Sequence, residues 1–266
     1  MKTQVSGDLP RIAKKQLRWF TKYIGFYLKR NFHGVHLLRL TSIEHSIEQL
    51  EGWPLLVCLN HPSWWDPLLG IYLSQRFFAH RQQYSPIASA GLAKYKFFER
   101  LGFFGIDPGA RSGAQRFLQV GKEVLSRSDG AFWVTVQGEF TDVRTPVDIE
   151  PGAGHLASRI GRFAMLPIAF EYSFWNERYP EAFACIGEPV MADTGSGHSA
   201  KEWTDQFSNS LQSTQSVLSE HVKRRDPAAF EALLTGSSGV GGVYDVWRAL
   251  KSRAQGKKFR PEHGRI

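Results

Sequence analysis

The chain has 266 residues and a net charge of +8 at neutral pH, from 33 Lys and Arg against 25 Asp and Glu. Its length and its 42% of hydrophobic residues suit one large α/β domain, and they exclude a disordered, collagen-like or disulfide-scaffold protein. Cys58 and Cys185 lie in apolar runs, so both are expected to be buried and reduced. The sequence shows neither a signal peptide nor about 20 consecutive apolar residues, which disfavours secretion and a transmembrane anchor.

The N-terminal segment 1–43 is predicted to be a basic amphipathic arm. Between Leu9 and Ile43 it carries eight Lys and Arg residues and no acidic residue. Its apolar residues recur with the period of a helix, and most of the cations fall elsewhere on the helical wheel. This pattern favours contact with an anionic membrane surface, and a helix packed on the domain with solvated charges is the alternative. The apolar positions are Leu17, Phe20, Ile24, Tyr27 and Leu28.

A second basic segment, 236–266, is predicted at the other end of the chain. Gly/Ser-rich residues 236–242 separate a final helix, about 243–254, from the body of the protein. From Val246 onward the chain has seven Lys and Arg against Glu262 alone. Basic ends suit an anionic leaflet, which attracts each nearby cation by about 1 kcal/mol. Nucleic acid is not an expected partner, because no zinc-finger spacing, RNP-like strand or helix-turn-helix motif is present.

Residues 44–235 are predicted to form an α/β domain. Six apolar, strand-like runs alternate with helical stretches, which indicates βαβ units and a mostly parallel central sheet flanked by helices. The predicted strands are 55–59, 85–89, 103–107, 131–136, 165–172 and 183–190, and the predicted helices are about 91–101, 111–126, 152–162 and 200–224.

The strongest candidate catalytic residues follow the first strand of this domain. Sites in open α/β sheets form beyond the carboxyl ends of the strands, and His61 lies two residues past the run 55–59. Pro67 suits the first position of a helix, which predicts that Asp66 is the N-cap and that His61 stays in the loop. A carboxylate on one imidazole nitrogen would let the other nitrogen take a proton from a hydroxyl. Two alternatives stay open: Asp66 only caps the helix with Ser63, or His61 is an ordinary loop histidine.

Other catalytic chemistries lack a motif. His61 has no second His or Cys at the spacing of metal ligands. The Gly-rich segment 236–242 lacks the Lys-Ser/Thr ending of a phosphate-binding loop, and no Gly-x-Ser-x-Gly sequence occurs. Metal catalysis and a serine-hydrolase mechanism are therefore not expected.

Four short blocks resemble the glycerolipid acyltransferase family, which includes lysophosphatidate acyltransferases. Residues 60–66, Asn-His-Pro-Ser-Trp-Trp-Asp, resemble its first block, Asn-His-x4-Asp after an apolar strand. Residues 102–107, Gly-Phe-Phe-Gly-Ile-Asp, resemble the second block, Gly-x-x-Phe-Ile-Asp-Arg. Residues 135–139, Thr-Val-Gln-Gly-Glu, resemble the third, Phe-Pro-Glu-Gly-Thr-Arg, and 166–169, Leu-Pro-Ile-Ala, resemble the fourth, Val-Pro-x-x. The blocks occur in the order of the family over about residues 50–190.

The resemblance implies a membrane-associated O-acyltransferase with an α/β core. It would move a fatty acyl group from acyl-CoA or acyl-carrier protein to a hydroxyl of a lysophospholipid or related lipid. His61 would be the general base and Asp66 would orient it, while backbone amides would hold the oxyanion. No cofactor, metal or covalent acyl-enzyme is implied, since the acyl thioester is a substrate. The expected location is peripheral or monotopic, on the cytoplasmic face of a membrane.

The implied substrate-binding residues depart from the family pattern. The second-block Arg is Pro108 here, with Arg111 as the nearest substitute, and the third-block Glu is Gln137. Arg binds phosphate in a bidentate way that Pro cannot, so an unphosphorylated lipid alcohol or glycolipid, such as a glycosylated isoprenoid or carotenoid, is an alternative acceptor. A noncatalytic membrane-binding protein of the same fold is a further alternative. The residues predicted to bind substrate are Asn60, Ser63, Asp107, Arg111, Gln137, Gly138, Glu139 and Arg144.

The same residues also have structural interpretations. Asp107 and Pro108 could form only a turn. Gln137 and Glu139 could be a solvent-facing strand end, and Arg144 could be an ordinary surface residue.

Overall fold

The computed structural model describes residues 9–39, 47–193 and 197–236. These residues form an α/β fold with a mixed, mostly parallel nine-stranded sheet flanked by helices, which confirms the predicted fold class. The strands are β1 (Gly34–Leu38), β2 (Leu55–Leu59), β3 (Gln82–Ala88), β4 (Phe103–Ile106), β5 (Gly130–Thr135), β6 (Phe163–Ser173), β7 (Glu181–Ile186), β8 (Val190–Ala192) and β9 (Phe230–Thr235). The helices are α1 (Lys14–Asn31), α2 (Asp66–Phe77), α3 (Ser89–Lys94), α4 (Arg111–Leu125), α5 (Gly152–Ala157) and α6 (Ala200–Arg224), with 3₁₀ helices at Lys96–Leu101 and Pro227–Ala229.

The parallel strands occupy one side of the sheet. The order across the sheet is β4-β3-β5-β2-β6-β7-β1-β9, and the first five strands in this order run parallel. β7 is antiparallel to β6, β1 is parallel to β7, and β9 is antiparallel to β1. The short β8 pairs antiparallel with the start of β6. The carboxyl ends of β2, β4 and β5 therefore meet at one edge, where open sheets place their sites.

β2 lies inside the sheet and is buried along its whole length. Val57 belongs to the core beneath α1 and α2, whereas Cys58 faces the core beneath α4 and α6. Helices on both faces explain why this strand is a continuous apolar run rather than an alternating one. Cys58 and Cys185 are buried and free, as predicted, and burial raises the pKa of the Cys185 thiol to about 12.

The N-terminal segment packs as part of this fold. α1 buries Leu17, Ile24 and Leu28 in the same core as Val57, so its predicted apolar face contacts the domain. This confirms the alternative interpretation for that face, a helix packed on the domain. Residues 34–38, which were predicted to belong to the arm, form β1 between β7 and β9. In the described residues, the arm and the α/β domain are therefore one packed unit.

The predicted elements differ from the structure in several places. The helix predicted at 91–101 is divided into α3 and the 3₁₀ helix Lys96–Leu101, and α5 ends at Ala157 rather than near 162. β8 and β9 were not predicted, since β8 is very short and β9 has mixed polarity. The final helix predicted at about 243–254, and the basic tail after it, lie outside the described residues.

Candidate active site

A cavity of about 870 Å³ lies at the carboxyl edge of the parallel strands. β3 pairs with β5 only over residues 82–84, and beyond them β3 continues with β4 while β5 continues with β2. The cavity occupies this gap, because residues 85–88 and 133–136 line it from the two sides. Pro86 lies in the diverging part of β3, where it supplies no N–H for strand pairing. The size is typical of small-molecule sites, which span about 300–1,000 Å³.

His61 and Asp66 form a hydrogen-bonded pair in the wall of this cavity. The distance from His61 Nδ1 to Asp66 Oδ2 is 2.7 Å. Asp66 is fully buried, whereas 18% of the His61 side chain is exposed. Because Nδ1 faces the carboxylate, Nε2 is the nitrogen that can take a proton from a bound hydroxyl. The pair has the geometry of a general base and the carboxylate that orients it.

The start of α2 explains how two residues five positions apart can meet. Asp66 is the first residue of the helix and Trp65 is its N-cap, so the prediction that Asp66 is the N-cap is wrong. The Asp66 carboxylate turns back into the preceding loop instead, where its Oδ2 also accepts the N–H of Ser63 at 2.9 Å. His61 lies in that loop, as predicted, and Pro67 lies in the first helical turn.

Tyr172, which the sequence did not indicate, contacts the other oxygen of the carboxylate. Its hydroxyl, on β6, donates a hydrogen bond of 2.7 Å to Oδ1 of Asp66. Burial raises the pKa of Asp66 above its ordinary value, and the hydrogen bonds from His61, Ser63 and Tyr172 offset part of that shift. Burial and the adjacent carboxylate raise the pKa of Tyr172 well above its ordinary value. Tyr172 therefore remains a protonated donor that fixes the carboxylate.

The loop after β5, which contains the third block, holds the main chain of His61. Gln137 is buried, and its Oε1 accepts the N–H of His61 at 3.0 Å. The N–H of Thr141 donates to the carbonyl of His61, also at 3.0 Å. The ring of Phe140 lies 4.4 Å from the imidazole, measured between ring centroids. Gln137 was predicted to bind substrate, but it does not line the cavity and instead positions the candidate base.

Asn60 anchors the same loop to the sheet. Its Nδ2 donates to the carbonyl of Phe170 at 2.9 Å and to Oε1 of Gln215 at 3.0 Å, and its Oδ1 accepts the N–H of Phe170 at 2.7 Å. The side chain thus continues the pairing of β2 with β6 beyond the last strand residue. Asn60 is buried and lies outside the cavity lining, so its contacts are structural rather than with a ligand.

Three other predicted site residues, Asp107, Arg111 and Gly138, line the cavity together with His61. Asp107 also closes a turn, because its carbonyl accepts the N–H of Ala110 at 3.2 Å. The structure therefore contains the turn that was considered as an alternative, and it brings Asp107 to the site as well. Arg111 is the first residue of α4, and it is exposed as well as part of the cavity lining.

The remaining candidates, Ser63, Glu139 and Arg144, lie outside the cavity lining. Ser63 contacts Asp66 through its backbone N–H and carbonyl, and Glu139 is exposed. The Arg144 side chain is 83% exposed and pairs with Asp142 at 2.6 Å, as an ordinary surface residue would. Hydrogen bonds from Arg144 hold the pKa of Asp142 well below its usual range.

The charge on the cavity lining is unbalanced. Among the lining residues, Arg111 is the one Lys or Arg, whereas carboxylates come from Asp66, Asp107 and Glu150. Most of the remaining lining is apolar and comes from α2, α4 and the diverging strands. The arrangement suits a long apolar ligand whose polar end lies at His61.

In the described residues neither a candidate metal site nor a membrane-spanning helix gives a further indication of function, and neither does a similar known protein. No three His, Cys, Asp or Glu side chains within residues 9–39, 47–193 and 197–236 are grouped so that they could hold a metal ion. None of the helices in the described part of the chain has both the length and the apolar character needed to cross a bilayer. No protein-family model matches the chain, and no curated protein sequence is significantly similar to it.

Proposed function

We propose that the protein is an O-acyltransferase that moves a fatty acyl group from acyl-CoA or acyl-carrier protein to a hydroxyl of a lysophospholipid or related lipid. One observation carries the proposal: the buried Asp66 orients His61 in the wall of a largely apolar cavity of about 870 Å³. An apolar cavity suits a fatty chain, and a base in its wall suits a hydroxyl nucleophile. The resemblance of residues 60–66 to Asn-His-x4-Asp supports the same reaction.

The chemistry follows from the orientation of the histidine. Nε2 of His61 would take the proton of the acceptor hydroxyl while that oxygen forms a bond to the thioester carbonyl carbon. Asp66 would stabilise the imidazolium, and backbone amides would hold the oxyanion. When the intermediate collapses, the carbon–sulfur bond would break and the leaving thiolate would take the proton from the imidazolium. Both protons and electrons balance without a cofactor.

An unphosphorylated lipid alcohol or glycolipid is a second candidate acceptor. The charge of the cavity lining favours it, because Arg111 is the one Lys or Arg among the lining residues, whereas Asp66, Asp107 and Glu150 contribute carboxylates. A phosphate near Asp107 and Glu150 would be repelled, whereas a neutral hydroxyl would not. Arg144, which the resemblance offered as a second cation, is already paired with Asp142.

The proposed location is the cytoplasmic face of an anionic membrane, to which the protein binds peripherally. Lipid substrates reside there, and the basic composition of α1 suits binding to an anionic membrane surface. α1 contains six Lys and Arg and no acidic residue: Lys14, Lys15, Arg18, Lys22, Lys29 and Arg30.

The proposal is tested by acyl transfer from one acyl-CoA to a panel of acceptors: lysophosphatidate, a lysophospholipid, a monoacylglycerol and a glycolipid. We expect transfer by the wild type and a loss of about 10²–10⁴-fold in the His61→Ala variant, the range for a general base. The His80→Ala variant is the control, because His80 is exposed and outside the cavity lining. Activity in a folded His61→Ala variant would refute the mechanism. Transfer to no acceptor at all would favour the noncatalytic alternative.

A further inference from the structure

We infer that a second, exposed face of α1 docks on an anionic bilayer, together with the 3₁₀ helix Lys96–Leu101 and the loop before α2. We call it the aromatic face. The inference rests on the proposed function in one respect, that the partner is a lipid membrane. It differs from the sequence-based prediction because the apolar face of α1 is already buried in the core. The aromatic face consists of Trp19, Tyr23, Phe26, Trp64, Tyr95 and Phe97.

The exposed side of α1 carries large aromatic side chains that the core does not use. Trp19, Tyr23 and Phe26 are 65%, 44% and 63% exposed. Their spacing of four and three residues places them in one stripe, since such positions are neighbours on a helix surface. The buried residues, among them Leu17 and Ile24, lie on the other side of the helix. Exposed Trp, Tyr and Phe in one stripe are typical of helices that lie in a membrane interface.

Charge complementarity identifies the kind of membrane. Lys15, Arg18 and Lys22 project from a flank of α1 next to the aromatic stripe, and the helix has no acidic residue. An anionic leaflet attracts such cations, while the aromatic side chains insert among the headgroups. The combination therefore fits an anionic bilayer better than a neutral one.

The stacking of the rings argues against a nucleic acid on this face. Proteins that bind single strands leave aromatic faces free to stack on bases. Here the ring of Tyr23 stacks on Trp19 at 6.0 Å and on Tyr27 at 5.8 Å, with interplanar angles of 10° and 12°. Tyr23 thus has neighbouring rings on both sides, so less of its face is available to a base than in a free stacking platform.

The aromatic face continues from α1 onto the neighbouring 3₁₀ helix. Phe97 makes an edge-to-face contact with Phe20 of α1 at 4.6 Å. The N–H of Ala13, at the start of α1, donates to the carbonyl of Arg100 at 2.8 Å. These contacts hold the exposed Tyr95 and Phe97 beside α1, so the two elements form one continuous surface.

The same surface borders the candidate active site. Tyr27 contacts Trp65 at 5.5 Å, and Trp65 contacts the exposed Trp64 at 4.5 Å, directly before Asp66. Leu17 of α1 and Leu101 of the 3₁₀ helix line the cavity that contains His61. The elements that carry the aromatic face are therefore walls of the cavity. Docking through that face would hold two of the elements that wall the cavity at the lipid surface.

Vesicle co-sedimentation of the full chain tests the inference. The probes are phosphatidylcholine vesicles with and without phosphatidylglycerol, and the variant is Trp19→Ser/Tyr23→Ser/Phe26→Ser. These exposed substitutions keep every charge, including the basic C-terminal residues, so they isolate the aromatic contribution. We expect at least a tenfold loss of partitioning into anionic vesicles, with unchanged circular dichroism and thermal midpoint.

A matched control removes exposed apolar side chains elsewhere. Phe174→Ser/Met191→Ser changes two exposed residues outside the aromatic face, and it should bind like the wild type. Wild-type binding by the folded triple variant, or an equal loss in the control, would overturn the inference. So would tighter binding of the wild type to single-stranded DNA than to anionic vesicles, if the triple variant lost that DNA binding.

The outcome is separable from that of the proposed function. The His61→Ala variant should bind vesicles like the wild type, because His61 is outside the aromatic face. If the triple variant loses vesicle binding but the wild type transfers no acyl group, docking stands and the proposed function fails. If acyl transfer is found while the triple variant binds like the wild type, the proposed function stands and docking through this face fails.

Discussion

The hydroxyl of Tyr172 donates a hydrogen bond of 2.7 Å to Oδ1 of Asp66, a residue 106 positions earlier in the chain. Oδ2 of the same carboxylate contacts Nδ1 of His61 at 2.7 Å. The carboxylate is thus held from both sides, and its orientation toward the imidazole does not depend on α2 alone. In the proposed reaction Tyr172 would act through Asp66, as a positioning residue rather than a catalytic one.

Replacing Tyr172 by Phe should lower kcat about 10- to 100-fold with little change in KM for the acyl donor. A hydrogen bond to a charged group contributes about 1.5–3 kcal/mol, which corresponds to that range. Without this donor the pKa of Asp66 rises further, so the acidic limb of the kcat profile should move to higher pH. Steady-state kinetics across a pH series measures both effects.

Tyr72→Phe is the matched control for that variant. The hydroxyl of Tyr72 donates to the carbonyl of Leu233 at 3.0 Å, away from Asp66. Its loss should affect stability but leave the pH profile in place. An unshifted acidic limb in the Tyr172→Phe variant would show that the tyrosine has only a structural role.

The Asp66→Asn substitution should change the pH dependence of stability. Burial raises the pKa of Asp66 in the folded state above the value of about 3.9 in an unfolded chain. Between those two pKa values the folded state holds more protons, so the wild type loses stability as the pH rises through this window. The Asp66→Asn variant lacks that loss. Its free energy of unfolding should therefore rise relative to that of the wild type from about pH 4 upward. Urea unfolding at a series of pH values measures the difference.

Asp142→Asn provides a comparison of opposite sign. Arg144 lowers the pKa of Asp142, so this carboxylate stabilises the fold above its unfolded pKa and the contribution is lost as the pH falls. The free energy of unfolding of the Asp142→Asn variant should therefore fall relative to that of the wild type as the pH rises. Parallel curves for the two variants would contradict the assignment of Asp66 as a carboxylate penalised by burial.

Gln137→Ala should lower both stability and activity, because it leaves the His61 N–H without its acceptor. An unsatisfied buried donor costs about 1–3 kcal/mol. The control is Gln212→Ala, since Oε1 of Gln212 accepts the N–H of Val147 at 2.7 Å in the same kind of contact. Thermal unfolding should show comparable losses, and acyl-transfer assays should show a loss for Gln137→Ala alone. Gln137→Glu retains an acceptor and should restore activity.

In the proposed reaction, Gly70→Leu should shift the preference for the acyl donor toward shorter acyl thioesters. Gly70 lines the cavity on α2, and a Cβ there would meet its first neighbour, Trp133, at 4.0 Å, an ordinary contact. The position therefore has room for a Cβ, and we expect the rest of a leucine side chain to occupy part of the cavity that Gly70 lines. Gly25→Leu on α1 is the control, because a Cβ at Gly25 meets no atom within 4 Å and Gly25 is outside the cavity lining. An unchanged chain-length profile for Gly70→Leu would exclude this cavity as the acyl site.

Local sequence signals predicted much of the fold. β2 matches the predicted run 55–59 in full, and α6 matches the predicted helix 200–224. In α6 the capping box of Ser199 and Glu202 satisfies N–H groups at the helix start, which makes its first residue recognisable from the sequence. β1 was not predicted, because its neighbour β7 lies far along the chain and local periodicity carries no information about that pairing.

The candidate site was predicted only where its contacts are local. His61 and Asp66 are five residues apart, and a strand followed by a proline-initiated helix brings them together. No local pattern indicated Tyr172 as the partner of Asp66, because that contact depends on β6 lying beside β2. Gln137 was predicted to bind a ligand. In the structure its loop packs against His61, and its side chain accepts the His61 N–H.

The α/β class, the central buried strand and the candidate pair His61 and Asp66 could be predicted from local patterns, because each is expressed within a short stretch of chain. The position of the cavity could not, since the gap that it occupies depends on β3 separating from β5 after residues 82–84. Tertiary packing also sets which face of α1 is free. An amphipathic pattern predicts that a helix has an apolar side. Only the packing shows that Leu17 and Ile24 are buried, whereas Trp19 and Phe26 remain exposed.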